Sequence, residues 1–128
     1  MKIIEVAAGI IKENGKIFVT ERGYGKFKGF FEFPGGKLEA NETPEQALKR
    51  ELSEELAIEI SVENFICTVH YDYPDFHLIM HCFYCKIQKG TITLLEHASA
   101  RWLSLDESDT LPWLPADIFV LQKLKTEK

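Results

Sequence analysis

The sequence predicts an α/β domain, a sheet with helices packed around it, and three observations point there. Segments of strand character lie on both sides of a central helical segment, that segment carries its own capping signals, and a second helical pattern closes the sequence. With 128 residues, 45% of them hydrophobic, the chain has the length and apolar content expected of one domain covering residues 1–128.

Ile3 to Ile11 and Lys16 to Arg22 read as strands around Glu13-Asn14-Gly15, whose Asn-Gly pair is a hairpin signal. Thr43 then suits an N-cap, Pro44 the first helical position, and Gln46, three residues after Thr43, completes a capping box. Leu48, Leu52 and Leu56 follow at four-residue spacing as an apolar ridge facing the core. Phe65 to Tyr73 and Phe76 to Gln88 read as strands divided by Pro74-Asp75, with a further turn at Lys89-Gly90. Arg101 to Leu105 reads as a short strand. From Pro115 to Lys125, Ile118, Leu121 and Leu124 recur at helical spacing and give the closing helix.

The chemistry concentrates in residues 36 to 58. Within Arg50 to Glu55 (RELSEE), Glu51, Glu54 and Glu55 stand three and four positions apart and project from one flank of the leucine ridge. Like charges at that spacing destabilise a helix by roughly a few tenths of a kcal/mol per pair and raise one another's pKa values unless a cation sits among them. A hard divalent ion, Mg²⁺ or Mn²⁺, removes that conflict and favours carboxylate oxygens together with substrate phosphates. Upstream, Phe33 to Lys37 (FPGGK) places two adjacent glycines where the backbone can come close, so a carbonyl of Gly35 or Gly36 is a candidate for the metal shell. Arg50, four residues before Glu54, is placed to orient that carboxylate or to brace the preceding loop. Lys37, inside the glycine loop, is the strongest phosphate candidate; Arg22, Lys26 and Lys28 are weaker ones, with ordinary surface as their simpler reading.

Gly36, Glu42, Arg50, Glu51, Leu52, Glu54, Glu55 and Ile58 together resemble the Nudix box, with one departure: Ala57 stands where the family pattern has glycine. The resemblance is closest to MutT-type nucleoside triphosphate pyrophosphohydrolases and extends through AAGII (Ala7 to Ile11), EFPGGKLE (Glu32 to Glu39), YPDFHL (Tyr73 to Leu78), RWLSL (Arg101 to Leu105) and LPAD (Leu114 to Asp117). It implies an α/β/α sandwich with a mixed sheet and a loop-helix-loop catalytic segment. It further implies metal-dependent hydrolysis of a nucleoside triphosphate to the monophosphate and pyrophosphate, with Glu96, six residues before Trp102, as another metal ligand. Glu51 and Glu54 are the leading general-base candidates, with Glu96 also open. The position matched by Asp117 reads the base edge in such enzymes. It is often Asn in the enzyme that clears 8-oxo-dGTP, whereas Pro-Ala-Asp resembles CTP pyrophosphohydrolases acting on cytidine and 5-methyl-deoxycytidine triphosphates. An ionised Asp only accepts hydrogen bonds, which suits an exocyclic amino group; the competing reading of Asp117 is a helix-start carboxylate. Phe30, Phe31 and Phe76 are candidates to stack on a base, with at least one of them expected in the core.

Two other functions fit the same residues: hydrolysis of another nucleoside diphosphate derivative, such as ADP-ribose or a dinucleoside polyphosphate, and a sensor that binds nucleotide without turnover. The sensor reading expects loss of a catalytic glutamate, and every box glutamate is present. A net charge of -5 and a pI near 5.4 speak against binding nucleic-acid polymers. No signal-peptide pattern and no membrane-spanning apolar run occur, so the expectation is a cytoplasmic monomer or homodimer with no membrane partner. Cys82 and Cys85 form a C-x-x-C pair, but strand residues three apart point to opposite faces, which predicts separate buried thiols rather than a zinc or redox site. With Cys67 the set is odd, against a disulfide framework. His70, His77, His81 and His97 have no metal-ligand spacing and read as packing or surface residues.

Overall fold

In the computed structural model, which describes residues 1–127, the strand β1 (Lys2–Glu13) organises the fold. One edge of β1 pairs in parallel with β6 (Phe76–Lys89) from Lys2 to Ile11, and β6 pairs antiparallel with β5 (Glu59–Tyr73). The other edge is shared. Val6 to Ala8 pair with β4 (Gly35–Lys37), and Lys12 and Glu13 turn into β2 (Lys16–Glu21). β2 pairs in turn with β3 (Phe31–Glu32) and with β7 (Ser99–Leu103), so the sheet has seven strands among the described residues. The Asn-Gly hairpin is as predicted: Asn14 and Gly15 both have positive φ, 52° and 77°, as the tight two-residue turn requires.

The alternation of β1 divides the molecule into two cores. Ala7 and Ile11 face the helix α1 (Pro44–Leu56), where Leu48, Leu52 and Leu56 are each 0% exposed and pack with Phe18, Ile58, Ile60, Phe83 and Cys85. Ala8 and Ile10 face the helix α2 (Pro115–Thr126) and the larger core of Val19, Phe31, Ile66, Val69, Met80, Cys82, Trp113 and Val120. This is the α/β/α sandwich. Cys82 and Cys85 fall in different cores, as the period of two predicts.

Several boundaries differ from the sequence reading. β5 starts at Glu59, six residues early, because its first half pairs with the end of β6 through polar residues and bulges that break the apolar alternation. β3 and β4 are two and three residues long and owe their strand form to distant partners. The last strand runs Ser99–Leu103, and Leu105–Thr110 is a 3₁₀ helix. In α2 the buried stripe is Ala116, Asp117, Val120, Leu121 and Leu124, whereas Ile118 is 42% exposed. Ile118 sits one helical step, about 100°, away from Asp117, and Asp117 takes the inward place.

Candidate active site

The glycine loop is fixed from beneath. Gly9 N–H donates to the Pro34 carbonyl (2.8 Å), and β4 lies so close to β1 that a side chain at Gly35 would overlap the Ala7 carbonyl. A side chain at Gly36 would overlap the Glu51 carboxylate, so this glycine is what lets α1 bring Glu51 onto the loop. The start of α1 is set by the predicted box. Gln46 N–H donates to Thr43 Oγ1 (3.1 Å) and Thr43 N–H donates to Gln46 Oε1 (2.9 Å). At its other end Ala57 adopts φ 59°, ψ 37°, the left-handed conformation the box glycine would take, with its N–H donating to the Ser53 carbonyl (3.1 Å).

Arg50 holds loop and helix together. Nε and Nη2 donate to Glu42 at 2.7 and 2.9 Å, Nη2 donates to the Lys37 carbonyl at 2.9 Å, and Nη1 reaches Glu51 and Glu54 at 3.2 Å each. The Arg50 hydrogen bonds hold the Glu42 carboxyl down at about 2. Arg50 therefore acts on position; in this structure it lines neither of the clefts described below.

Two adjoining clefts open over this apparatus. The smaller, about 300 Å³, contains Gly35, Glu55, Glu96 and His97. The larger, about 530 Å³, runs from Gly36, Lys37 and Glu51 along Phe27, Tyr73, Phe76, Leu78 and Met80 to Asp117. Arg22, Tyr24, Glu32, Phe33 and Gly35 line both. One end of the combined space thus carries carboxylates and a glycine loop, the other aromatic and aliphatic walls.

The predicted site residues divide accordingly. Glu51, Glu55, Glu96, Gly35, Gly36, Lys37, Arg22, Phe76 and Asp117 all reach the clefts. Glu54 does not: its side chain is 56% exposed and turned to Arg50. Arg22 is engaged, donating from Nε and Nη2 to Glu32 at 3.0 and 2.8 Å. Lys26 and Lys28 are surface residues outside both clefts, and Phe30 packs on Phe27. Phe31 is corrected as a stacking residue. It is 4% exposed in the core against Trp113, with the Arg101 guanidinium 5.0 Å from its ring centroid, because β3 turns Phe31 inward. His97, set aside from sequence, lies in the smaller cleft with Nε2 3.6 Å from Glu55 Oε1. Glu32, Tyr73 and Leu78, which belong to the resembling segments but were given no role, also line the site, as do Tyr24 and Met80, whose short-range patterns carry no signal for it.

The donor set fits a hard divalent cation. Glu55 Oε1 is buried with no hydrogen-bond partner, and burial, followed by the charges of Glu51, Glu96 and Glu32, pushes its carboxyl up to about 9. A cation at that oxygen supplies the missing partner and reverses the conflict. Among the described residues the carboxylates do not already converge as a closed shell of three, consistent with Glu54 being held aside by Arg50.

At the other end, Phe31 N–H donates to the Pro112 carbonyl and Leu114 N–H to that of Phe31, which docks the start of α2 beside β3. Tyr73 hydroxyl accepts from Ala116 N–H (3.2 Å). Asp117, 4% exposed, accepts from Phe33 N–H at 3.1 Å, and burial pushes its carboxyl up to about 8, with Glu32 adding to the rise. Burial thus makes Asp117 harder to ionise than the solvated carboxylate read from sequence, although it lines the larger cleft from the first turn of α2.

Carboxylates gathered on a capped helix against a glycine loop are the apparatus of an acid-anhydride hydrolase, and that is the class this fold and site define. The chain belongs to the NUDIX domain family, which matches residues 2–123. It is 37% identical over 123 residues to the CTP pyrophosphohydrolase of Escherichia coli (strain K12), covering 95% of this chain and 91% of that protein. The 8-oxo-dGTP diphosphatase of the same strain is 36% identical over 127 residues, covering 98% of each. Among solved structures, the E. coli ORF135 protein superposes with a TM-score of 0.86 at 36% identity, over 98% of this chain and 91% of that one. The MutT protein from Methanosarcina mazei Go1 gives 0.85 at 22% identity, over 99% and 96%, a likeness of fold alone.

Proposed function

We propose that this Nudix hydrolase, acting as one domain over residues 1–128, cleaves nucleoside triphosphates to the monophosphate and pyrophosphate, with (d)CTP, 5-methyl-dCTP or 8-oxo-dGTP as substrate. The carrying observation is the two-part cleft, acidic and glycine-lined at one end and aromatic at the other, closing on Asp117. Its size suits one nucleotide. The relatives named for CTP and for 8-oxo-dGTP support the same choice.

Glu51, Glu54, Glu55 and Glu96, with a carbonyl of Gly35 or Gly36, would hold Mg²⁺ or Mn²⁺, which would supply charge neutralisation at the phosphoryl oxygens and a more acidic water there. Glu51, Glu54 or Glu96 would accept the proton of the attacking water. Arg50 braces Glu51 against the loop through Glu42 and the Lys37 carbonyl, with Glu54 turned to it outside the clefts, and Lys37 and Arg22 face the phosphates. Phe76, stacked on Tyr73 with ring centroids 5.1 Å apart, walls the base. Asp117, carrying its proton, offers a donor and an acceptor, a pairing that meets either N3 and N4 of cytosine or O6 and N1 of 8-oxoguanine. The protein works in the cytoplasm; no helix among the described residues is long and apolar enough to cross a membrane.

Pyrophosphate release and product analysis with Mg²⁺ test this across 8-oxo-dGTP, dGTP, CTP, dCTP, 5-methyl-dCTP, ADP-ribose and a dinucleoside polyphosphate. Strong release from a cytidine or oxidised-purine triphosphate supports the reading. Turnover of ADP-ribose or the dinucleotide alone, or binding without turnover, overturns it.

A further inference from the structure

The sequence pairs Cys82 with Cys85, but the sheet pairs Cys82 with Cys67. Cys67 on β5 and Cys82 on β6 are direct Cα partners in the antiparallel ladder, next to the bulge that shifts the register between Phe65 and Cys67. Directly opposed residues in such a ladder have Cα atoms about 4.5 or 5.5 Å apart, within the roughly 4.4–6.8 Å that a disulfide spans. Both side chains lie on the α2 side of the sheet, Cys82 fully buried in that core and Cys67 half-buried against it. Cys85 is on the opposite face, packed under α1.

We propose that Cys67 and Cys82 form a peroxide-oxidisable pair that closes a cross-strand disulfide, with Cys67 as the attacked thiol and Cys82 as the resolving one. The Cys82 S–H donates to the Met80 carbonyl, 3.9 Å from Sγ. The Cys82 thiol opposite lowers the Cys67 thiol and Lys123 acts in the same direction, while burial and the Glu127 carboxylate oppose them. The neighbouring Cys67, with burial, raises Cys82, and burial pushes Cys85 up to about 12. Cys67 is the half-buried member of the pair and Cys82 the fully buried one, so peroxide reaches Cys67 first.

The chemistry balances with hydrogen peroxide as oxidant. The Cys67 thiolate attacks one peroxide oxygen; the O–O bond breaks, hydroxide leaves, and Cys67 becomes a sulfenic acid. The Cys82 sulfur then attacks the Cys67 sulfur, the S–O bond breaks, and the departing hydroxide takes the Cys82 proton as water. Two thiols and one peroxide give one disulfide and two waters. The partner strand holds the resolving thiol opposite the sulfenic acid, which favours closure over further oxidation. The clip fixes the register of the β5–β6 hairpin, whose Tyr73, Phe76, Leu78 and Met80 wall the larger cleft.

The test treats the full chain with hydrogen peroxide, alkylates it under denaturing conditions and measures intact and peptide masses. Three alkylable thiols should fall to one, Cys85, with a peptide linking Cys67 to Cys82 that dithiothreitol releases. In Cys82→Ser, Cys67 should stop at a sulfenic acid that dimedone captures. Should that variant misfold, Cys67→Ser serves, in which Cys82 should stay alkylable after peroxide. Wild-type Cys67 carried to sulfinic acid while Cys82 remains alkylable, or a disulfide joining two chains through Cys67, overturns the proposal.

Discussion

Replacing Ala57 by glycine should stabilise the protein. Ala57 ends α1 at φ 59°, ψ 37°, where an L-residue with a Cβ costs about 1–2 kcal/mol relative to glycine. Glycine returns roughly 0.5–1 kcal/mol of that through the greater freedom of its unfolded chain. The methyl group is exposed, so no packing is lost. The net gain is about 0.5–1 kcal/mol. Unfolding entropy near 2.1 cal/mol/K per residue gives this chain roughly 270 cal/mol/K, so Tm should rise by about 2–4 °C in differential scanning calorimetry. Turnover should be unchanged, because the cap bond to Ser53 is kept and Glu54 and Glu55 lie within the helix it ends. A Tm at or below that of the wild type would refute the reasoning, since it would mean the left-handed cap carries no strain that glycine relieves.

Gly36→Ala should lower kcat/KM by about 100-fold while the chain still folds, since the new methyl displaces the Glu51 carboxylate from the loop; near-normal kinetics would show that Glu51 need not lie there. Asp117 has its proton affinity raised by folding, so its contribution is full below about pH 4 and is lost as pH climbs toward about 8. Asp117→Asn should remove that slope, its Tm gaining on the wild type between pH 5 and pH 8; parallel Tm profiles would contradict the buried, proton-bearing carboxyl. Chelation by EDTA should abolish pyrophosphate release and added Mg²⁺ should restore it, whereas turnover persisting in EDTA would remove the need for a cation at Glu55.

What was legible in the sequence is what short-range rules govern. The capping box at Thr43, the leucine ridge, the Asn-Gly turn and the split of Cys82 from Cys85 each follow from residues within a few positions of one another. The glycine loop and its glutamates were legible because their spacing is fixed along one segment. β3 and β4 were not, since two or three residues become strands only when β1 and β2 supply their partners. The spacing of Ile118, Leu121 and Leu124 announced α2 but not which face it buries; the docking of α2 against Phe33 turns the Asp117 carboxyl inward. Phe31 and Phe76 are indistinguishable by composition; the inward turn of β3 separates the core ring from the cleft wall. The Cys67 pairing depends on the register of a bulged hairpin, and no spacing between 67 and 82 encodes it.

The most direct test of the central claim compares wild-type protein with Glu54→Gln in pyrophosphate release from CTP, 5-methyl-dCTP and 8-oxo-dGTP with Mg²⁺, with circular dichroism as the control for folding. The account predicts release by the wild type from at least one of these and a loss of about 100-fold or more in a folded variant, as expected if Glu54 turns from Arg50 to hold the cation or to act as general base. Wild-type silence on all three, or undiminished release by the variant, would contradict it.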